Sequence, residues 1–290
     1  MGLRVLTVVL ASSMLMGGVC SWFRFKPNSR VHHLLGGDDP RYLRTYFAAT
    51  WEPNGLGLLF LATPVDSTDP ACGGALWRYD TTSDSLEELL SRNFCALALS
   101  ADGRTAVLSR GNSRDGGYLL CYDLVADSLK YIDASRDDAI DVAFSKLDSG
   151  KLYYSSRKDG LYSVRLDGSG ESLVDNSVRG YFDLTPSDSV VTLDGNPKPR
   201  IDPSGRYVIR PPRFAEESWG DLDLIELAGE DTSRLPSRPF EYSHVYYANW
   251  SPDGQSVVFT AHEVAVGCPP SVPYGPPGGL WTFGPLGLPE

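Results

Sequence analysis

The sequence has little positive charge for its length. Its 290 residues include 26 Lys and Arg against 37 Asp and Glu, a net charge of −11, which repels a phosphate backbone and argues against nucleic acid as a partner. It also has only 3 Met, whereas 29 Gly, 21 Pro and 15 Tyr favour turns and strands over helices. The composition predicts an all-β globular protein.

Several enzyme signatures are absent as well. The sequence contains no Gly-x-Ser-x-Gly nucleophile elbow, and its four histidines form no His-Glu-x-x-His zinc motif. No segment has the ligand spacing of a calcium loop. We therefore expect no metal and no cofactor, and the interpretation leans away from an enzyme.

The first twenty residues have the pattern of an export signal. Arg4 is followed by an uncharged, mostly apolar stretch that reaches Phe23, and small residues precede Cys20. Three fates stay open: cleavage near residue 19 would release a soluble protein, lipidation of Cys20 would tether it, and an uncleaved segment would anchor it in the membrane. Each predicts an exported protein that is periplasmic, attached to the cell envelope as a lipoprotein, or secreted.

Four further cysteines follow this leader, an even number in a chain expected in an oxidising compartment, and three disulfide connectivities are possible. Cys95 and Cys121 fall in strand-like segments, where a small buried side chain is the simpler interpretation. Cys72 and Cys268 fall in loops rich in Pro and Gly. They are therefore the candidate disulfide pair.

One short pattern recurs five times: an apolar strand, a polar turn ending in glycine, and a second apolar strand. The turn glycines are Gly55, Gly103, Gly150, Gly205 and Gly254, with spacings of 48, 47, 55 and 49 residues. A near-constant period of this size indicates a repeat architecture. Proline, Asp or Asn, and glycine are the residues that tight turns require, so each copy predicts a hairpin.

A third strand follows each hairpin, and a fourth short strand follows in the first four copies. Four antiparallel strands per period form one propeller blade. Residues 30–35 can supply the missing outer strand of the fifth copy and so close the ring. We expect five blades, and a degenerate hairpin at 181–193 keeps six as the alternative. The third strands are predicted at 75–79, 118–122, 161–166, 222–227 and 280–283, and the fourth strands at 85–90, 128–132, 172–174 and 232–235.

Two segments carry a family resemblance. Trp250-Ser251-Pro252-Asp253-Gly254 and Leu161-Tyr162-Ser163-Val164-Arg165-Leu166-Asp167-Gly168 resemble the WD40-like repeats of TolB-type propellers. The resemblance covers roughly residues 40–285 and implies a β-propeller, a fold that serves as periplasmic adaptor, peptidase gate or ligand-binding module. The expected organisation is a signal peptide or lipoprotein leader at 1–20, a linker at 21–29 and a propeller domain at 30–290.

The loops between second and third strands differ greatly in length. They are long in blades 1, 4 and 5, at about 62–74, 211–220 and 261–279, and these blades are neighbours in a closed ring. Long loops on a rigid scaffold commonly carry binding sites. We therefore expect a binding rim that recognises a protein or peptide partner. Its candidate residues are Trp219, His262 and Tyr274, joined at the channel mouth by Asp137 and Asp138.

Two alternatives remain beside this interpretation. In the first, a propeller of the carbohydrate-binding or glycoside-hydrolysing kind uses funnel carboxylates from among Asp137, Asp138, Asp141 and Asp183, with Trp219 as a sugar platform. In the second, the propeller has a purely structural role in an envelope assembly. The oligomeric state and the identity of the partner stay open.

Overall fold

Strands and turns dominate the computed structural model. It describes residues 28–36, 43–64, 74–110, 118–133, 139–193, 198–212, 220–229, 231–239, 243–263 and 279–288. These residues form five four-stranded antiparallel sheets and one two-stranded sheet. The five larger sheets are the blades of a β-propeller, and the all-β prediction is confirmed.

The strands are numbered in chain order, and each of the first four blades uses four consecutive strands. Blade 1 contains β2 (Leu43–Trp51), β3 (Gly57–Pro64), β4 (Gly74–Asp80) and β5 (Ser85–Phe94), after β1 (Val31–Gly36). Blade 2 contains β6 (Ala96–Leu99), β7 (Thr105–Arg110), β8 (Tyr118–Asp123) and β9 (Ser128–Ile132). Blade 3 contains β10 (Ala139–Phe144), β11 (Lys151–Ser156), β12 (Gly160–Arg165) and β13 (Ser172–Asp175).

The remaining strands form a short hairpin and two blades. The hairpin is β14 (Asp183–Leu184) and β15 (Val190–Val191). Blade 4 contains β16 (Arg200–Ile201), β17 (Tyr207–Arg210), β18 (Leu222–Glu226) and β19 (Thr232–Leu235). Blade 5 contains β20 (Ser243–Trp250), β21 (Val257–Glu263) and β22 (Gly279–Phe283), with β1 as its fourth strand.

The ring closes through the N-terminal strand, as predicted. β1 pairs antiparallel with β22, from Val31 opposite Phe283 to Gly36 opposite Gly279. Leu35 in β1 is buried in a cluster that also contains residues of blade 1 and blade 5. β1 therefore supplies the outer strand of blade 5 and completes its four-stranded sheet.

Apolar side chains on both faces of each blade form the core. In β3, five consecutive residues from Leu58 to Ala62 are fully buried, because alternate side chains of a strand point to opposite faces and each face meets another blade. Separate clusters fill the spaces between blades 1 and 2, 2 and 3, 4 and 5, and 5 and 1. A smaller cluster lies between blade 3 and the hairpin, around Phe182 and Leu184.

The recurring turn has the geometry that its residues require. In blade 2, Gly103 has a φ of 71° and its N–H donates to the carbonyl of Ser100 at 2.9 Å. Ser100 donates its hydroxyl to Asp102 at 2.6 Å. A Cβ at Gly103 would lie 2.8 Å from Cδ of Pro53 in the turn of blade 1. Glycine is therefore needed here for its backbone conformation and for the close approach of the neighbouring turn.

Candidate functional site

The three long loops leave from one face of the propeller. They connect β3 to β4, β17 to β18, and β21 to β22, the second and third strands of blades 1, 4 and 5. In an antiparallel meander these connections share one end of the blades. β20 lies beside both β2 and β16, so the three blades are consecutive in the ring. The strand ends from which the three long connections depart therefore lie on neighbouring blades and at the same end of each blade.

Most of the candidate rim residues lie outside the described residues. These are Trp219, Tyr274, Asp137, Asp138, Cys72 and Cys268, together with the candidate lipidation site Cys20. His262 lies near the end of β21, where its backbone is opposite His244 of β20. The binding rim, the disulfide and the lipidation therefore stay predictions.

The other two cysteines, Cys95 and Cys121, lie among the described residues. Cys121 lies in β8, as expected, and burial raises the pKa of its thiol. Cys95 is the single residue that links β5 to β6. Both are half-buried.

Polar side chains from β10, from β14 and from the segment that leads into β16 meet beside the β14–β15 hairpin. Asp141 is the third residue of β10, and Lys198 lies just before β16. The Lys198 amine donates to Oδ1 of Asp141, and the two side chains are 5% and 0% exposed. The other carboxylate oxygen of Asp141 accepts the N–H of Phe182 at 3.3 Å. One carboxylate therefore binds both the hairpin and the entry to blade 4.

Asp183 has the same role one step further around the ring. Its Oδ2 accepts the N–H of Ile201 at 2.9 Å, and its Oδ1 lies 3.7 Å from the guanidinium of Arg200. Arg200 and Ile201 form β16, the inner strand of blade 4. Because the Asp183 side chain is only 8% exposed, this contact holds β14 against β16 in a largely dry environment.

Contacts of this kind continue around the channel. The indole N–H of Trp250 in blade 5 donates to the carbonyl of Arg200 at 2.9 Å. The amide of Asn249 donates to the carbonyl of Ala49 in blade 1 at 3.3 Å. Polar side chains thus join each inner strand to the next from blade 3 to blade 1, and they compensate for the incomplete sheet between blades 3 and 4.

The environment of Lys198 disfavours its charge. Burial, together with the nearby Arg200, lowers the pKa of its amine from 10.5 to about 8, whereas the Asp141 carboxylate opposes the shift. The amine also lies 5.9 Å from the ring centroid of Tyr181. Because the four charged groups compensate one another and are shielded from solvent, we interpret this cluster as a clamp that holds the hairpin in place.

Sequence reasoning missed Lys198 and Arg200. The repeat pattern contained a usable signal, because the two residues precede the turn at 202–205 at the same distances as Ala96 and Ala98 precede the turn of blade 2. Two cations at positions that hold alanine in another blade indicate a local polar contact. Asp141 and Asp183 were named, but as candidates for sugar chemistry rather than as members of an inter-blade clamp.

The described residues contain no group of three His, Cys, Asp or Glu side chains that could hold a metal ion. Over the same residues, we find no helix with the length and apolar character needed to cross a membrane.

Comparison with known proteins identifies the fold class and no family. No family model matches the chain, and no curated protein matches its sequence. Solved structures do match. A Bacteroides thetaiotaomicron protein of unknown function is 9% identical, with a TM-score of 0.59 over 88% of this chain and 75% of that one. An oligogalacturonate lyase in complex with manganese is 14% identical, with a TM-score of 0.52 over 92% and 96%.

TolB from Acinetobacter baumannii is also among the matched structures. It is 11% identical, with a TM-score of 0.44 over 83% of this chain and 54% of that chain. The chain thus spans about half the length of that TolB chain. The β-propeller that the resemblance to TolB-type propellers implies is confirmed by the five four-stranded sheets of the structure, and at these identities the matches carry no activity or partner with them.

Proposed function

We propose that this protein is an extracytoplasmic binding scaffold that recognises a protein or peptide partner through the loop rim of blades 4, 5 and 1. The single observation that carries the proposal is the grouping of long connections on one sector of one face. The connections of blades 1, 4 and 5 span 65–73, 211–221 and 264–278, whereas the same connections of blades 2 and 3 are shorter, at 111–117 and 157–159.

A rigid scaffold supports this use of the loops. The strand ends from which they depart belong to blades whose inner and middle strands are packed against one another through buried clusters. Loops on such a frame are positioned without ordering the frame itself, which lowers the entropy cost of binding.

The carbohydrate alternative has one specific observation in its favour, the similarity in fold to an oligogalacturonate lyase. Two of the four carboxylates considered for it are engaged elsewhere. Asp141 accepts the Lys198 amine, and Asp183 accepts the N–H of Ile201. A general acid or base must reach the substrate, and these two groups are buried, so the alternative depends on Asp137 and Asp138.

The test is affinity capture of the tagged full-length protein from its native envelope after mild cross-linking. One variant replaces residues 264–278 with a short Gly-Ser turn. Its matched control replaces residues 111–117, the corresponding connection of blade 2, in the same way. We expect a partner that is lost with the first variant and kept with the second. Equal capture by both variants, or turnover of oligosaccharide that Asp137→Asn and Asp138→Asn abolish, would refute the scaffold.

The extracytoplasmic location is part of the proposal and has its own test. It rests on the export pattern of residues 1–20. Fractionation of cells that express the full chain is expected to place it outside the cytoplasm, and deletion of residues 2–20 to retain it inside. Comparison with Cys20→Ala separates lipidation from the other two fates, because only a lipid tether on Cys20 is lost in that variant.

A further inference from the structure

The described chain enters the propeller at the end of the blades that lies opposite the loop rim. β1 begins at Val31, which is opposite Phe283, and ends at Gly36, which is opposite Gly279. Gly279 directly follows the blade 5 connection of the rim. Val31 therefore lies at the other end of the blade, beside the short turns that join first and second strands. We call this end of the propeller the turn face.

Backbone hydrogen bonds hold the chain at this entry point. The carbonyl of Asn28 accepts the N–H of Val31 at 2.9 Å, and its side-chain oxygen accepts the N–H of Arg30 at 2.9 Å. The carbonyl of Arg30 accepts the N–H of Gly284 at 3.1 Å, and Arg30 itself is exposed. The residues that precede Asn28 are therefore attached to the turn face and not to the rim.

The sequence just before this entry point combines cations with aromatic side chains. Residues 21–27 read Ser-Trp-Phe-Arg-Phe-Lys-Pro, so that three aromatic residues accompany Arg24 and Lys26, and Arg30 follows. Aromatic side chains such as Trp are enriched at the boundary between lipid headgroups and acyl chains, and clustered Lys and Arg are attracted to anionic headgroups. The combination is typical of a segment that meets a lipid surface.

Charge is distributed unevenly along the chain. Residues 1–37 contain four Lys or Arg and no Asp or Glu, whereas residues 38–290 contain 22 Lys and Arg against 37 Asp and Glu. An anionic lipid surface attracts the first part of the chain and repels the second. The distribution therefore favours lipid contact through the N-terminal part alone.

We propose that residues 21–30 bind the surface of a membrane that contains anionic lipids and hold the propeller with its turn face towards that membrane. Residues 21–27 span at most about 25 Å when fully extended, so the turn face stays near the lipids. The rim lies about 20 Å further out, the length of a six-residue strand, and points away from the membrane. The inference rests on the extracytoplasmic location proposed above for which membrane is met, and it is independent of the rim's partner.

The first test separates this segment from the apolar leader. The described ring begins at residue 28, so deletion of residues 2–20 removes none of its strands. We expect this variant to bind vesicles that contain phosphatidylglycerol at least about tenfold more tightly than vesicles of phosphatidylcholine alone, since each cation near an anionic surface contributes about fivefold. Equal binding to both kinds of vesicle, or to neither, would overturn the proposal.

Substitutions then locate the contact within the same variant. Arg24→Gln combined with Lys26→Gln is expected to weaken binding to the anionic vesicles at least about tenfold. The matched control, Arg92→Gln combined with Lys130→Gln, removes two exposed cations from the outer strands of blades 1 and 2 and should leave binding within about twofold. Equal losses in the two pairs would attribute binding to net charge and contradict a role for the segment.

The second test measures orientation with the full-length protein bound to anionic vesicles. A fluorescent amino acid replaces Leu56, which is 52% exposed on the turn face, or Asn93, which is exposed at the rim end of the same blade. We expect stronger energy transfer to acceptor-labelled lipids from position 56 than from position 93, and the reverse order or equal transfer would overturn the orientation. The variant lacking residues 264–278 should bind these vesicles normally, so failure here and failure of the loop rim are distinguishable.

Discussion

Lys198 and Asp141 form an ion pair that is almost fully buried and joins positions 57 residues apart in the chain. The pair sits where the regular sequence of four-stranded blades is interrupted. It links blade 3 to the entry of blade 4 while Asp141 also holds the hairpin through Phe182. Where the four-stranded blades are interrupted, the ring is thus held by a buried ion pair as well as by the apolar cluster around Phe182 and Leu184.

Breaking this pair should destabilise the protein strongly. Lys198→Ala leaves the buried Asp141 carboxylate without its partner, and we expect a loss of about 3 kcal/mol in the free energy of unfolding. Urea unfolding followed by circular dichroism measures it. Lys130→Ala, at an exposed position, is the control and should change the stability by less than about 0.5 kcal/mol. Equal stabilities of the two variants would show that the pair does not clamp the ring.

The pH dependence of stability follows from the lowered pKa of Lys198. Since the pKa is about 8 in the folded protein and 10.5 ordinarily, the unfolded chain binds more protons between these values. Stability contributed by this site therefore rises as the pH rises from 8 to 10.5. The measurement is urea unfolding across that range for the protein and for Lys198→Met, which cancels other titrating groups. A difference between the two that does not change with pH would contradict the assignment.

The recurring turn offers a matched pair of glycines. Gly55 and Gly103 occupy the same turn position with φ of 70° and 71°, but only Gly103 approaches a neighbouring proline. Gly55→Ala should cost about 1 kcal/mol from backbone strain alone. Gly103→Ala should cost clearly more, because its new Cβ meets Pro53. Thermal unfolding of both variants tests this, and equal losses would show that contact between turns is unimportant.

Ring closure through β1 predicts a large loss of stability from substitution of Leu35 and almost none from substitution of His32, three residues away. Leu35 is 1% exposed between blades 5 and 1, whereas His32 in the same strand is exposed. We expect Leu35→Ala to lower the free energy of unfolding by about 3 kcal/mol and His32→Ala to leave it nearly unchanged. Chemical denaturation gives both values, and a silent Leu35→Ala would contradict closure by this strand.

Local patterns predicted the blades well because strands and turns are encoded locally. The fourth strands at 128–132 and 232–235 were predicted with the observed bounds. β5 runs to Phe94 instead of ending near Leu90, because irregular pairing with β4 lets the strand continue until Phe94 is buried. The hairpin expected as a possible degenerate sixth unit is present as β14 and β15, although not as a complete blade.

The clamp could not be predicted in the same way. Asp141 and Lys198 come together only because the propeller curves blade 3 towards blade 4, and no local spacing records that contact. Asp183 likewise reaches Ile201 through the position of the hairpin rather than through a motif. The carboxylates were recognised as channel residues, but their partners depended on tertiary structure.

The most direct test of the binding scaffold is site-specific photo-cross-linking in the native envelope. A photoreactive phenylalanine analogue replaces Tyr274 in the blade 5 connection, and the same analogue replaces Arg114 in the blade 2 connection as the control. We predict a discrete adduct with a protein or peptide from position 274 and none from position 114. No adduct at position 274, or the same adducts from both positions, would contradict a partner-binding rim on blades 4, 5 and 1.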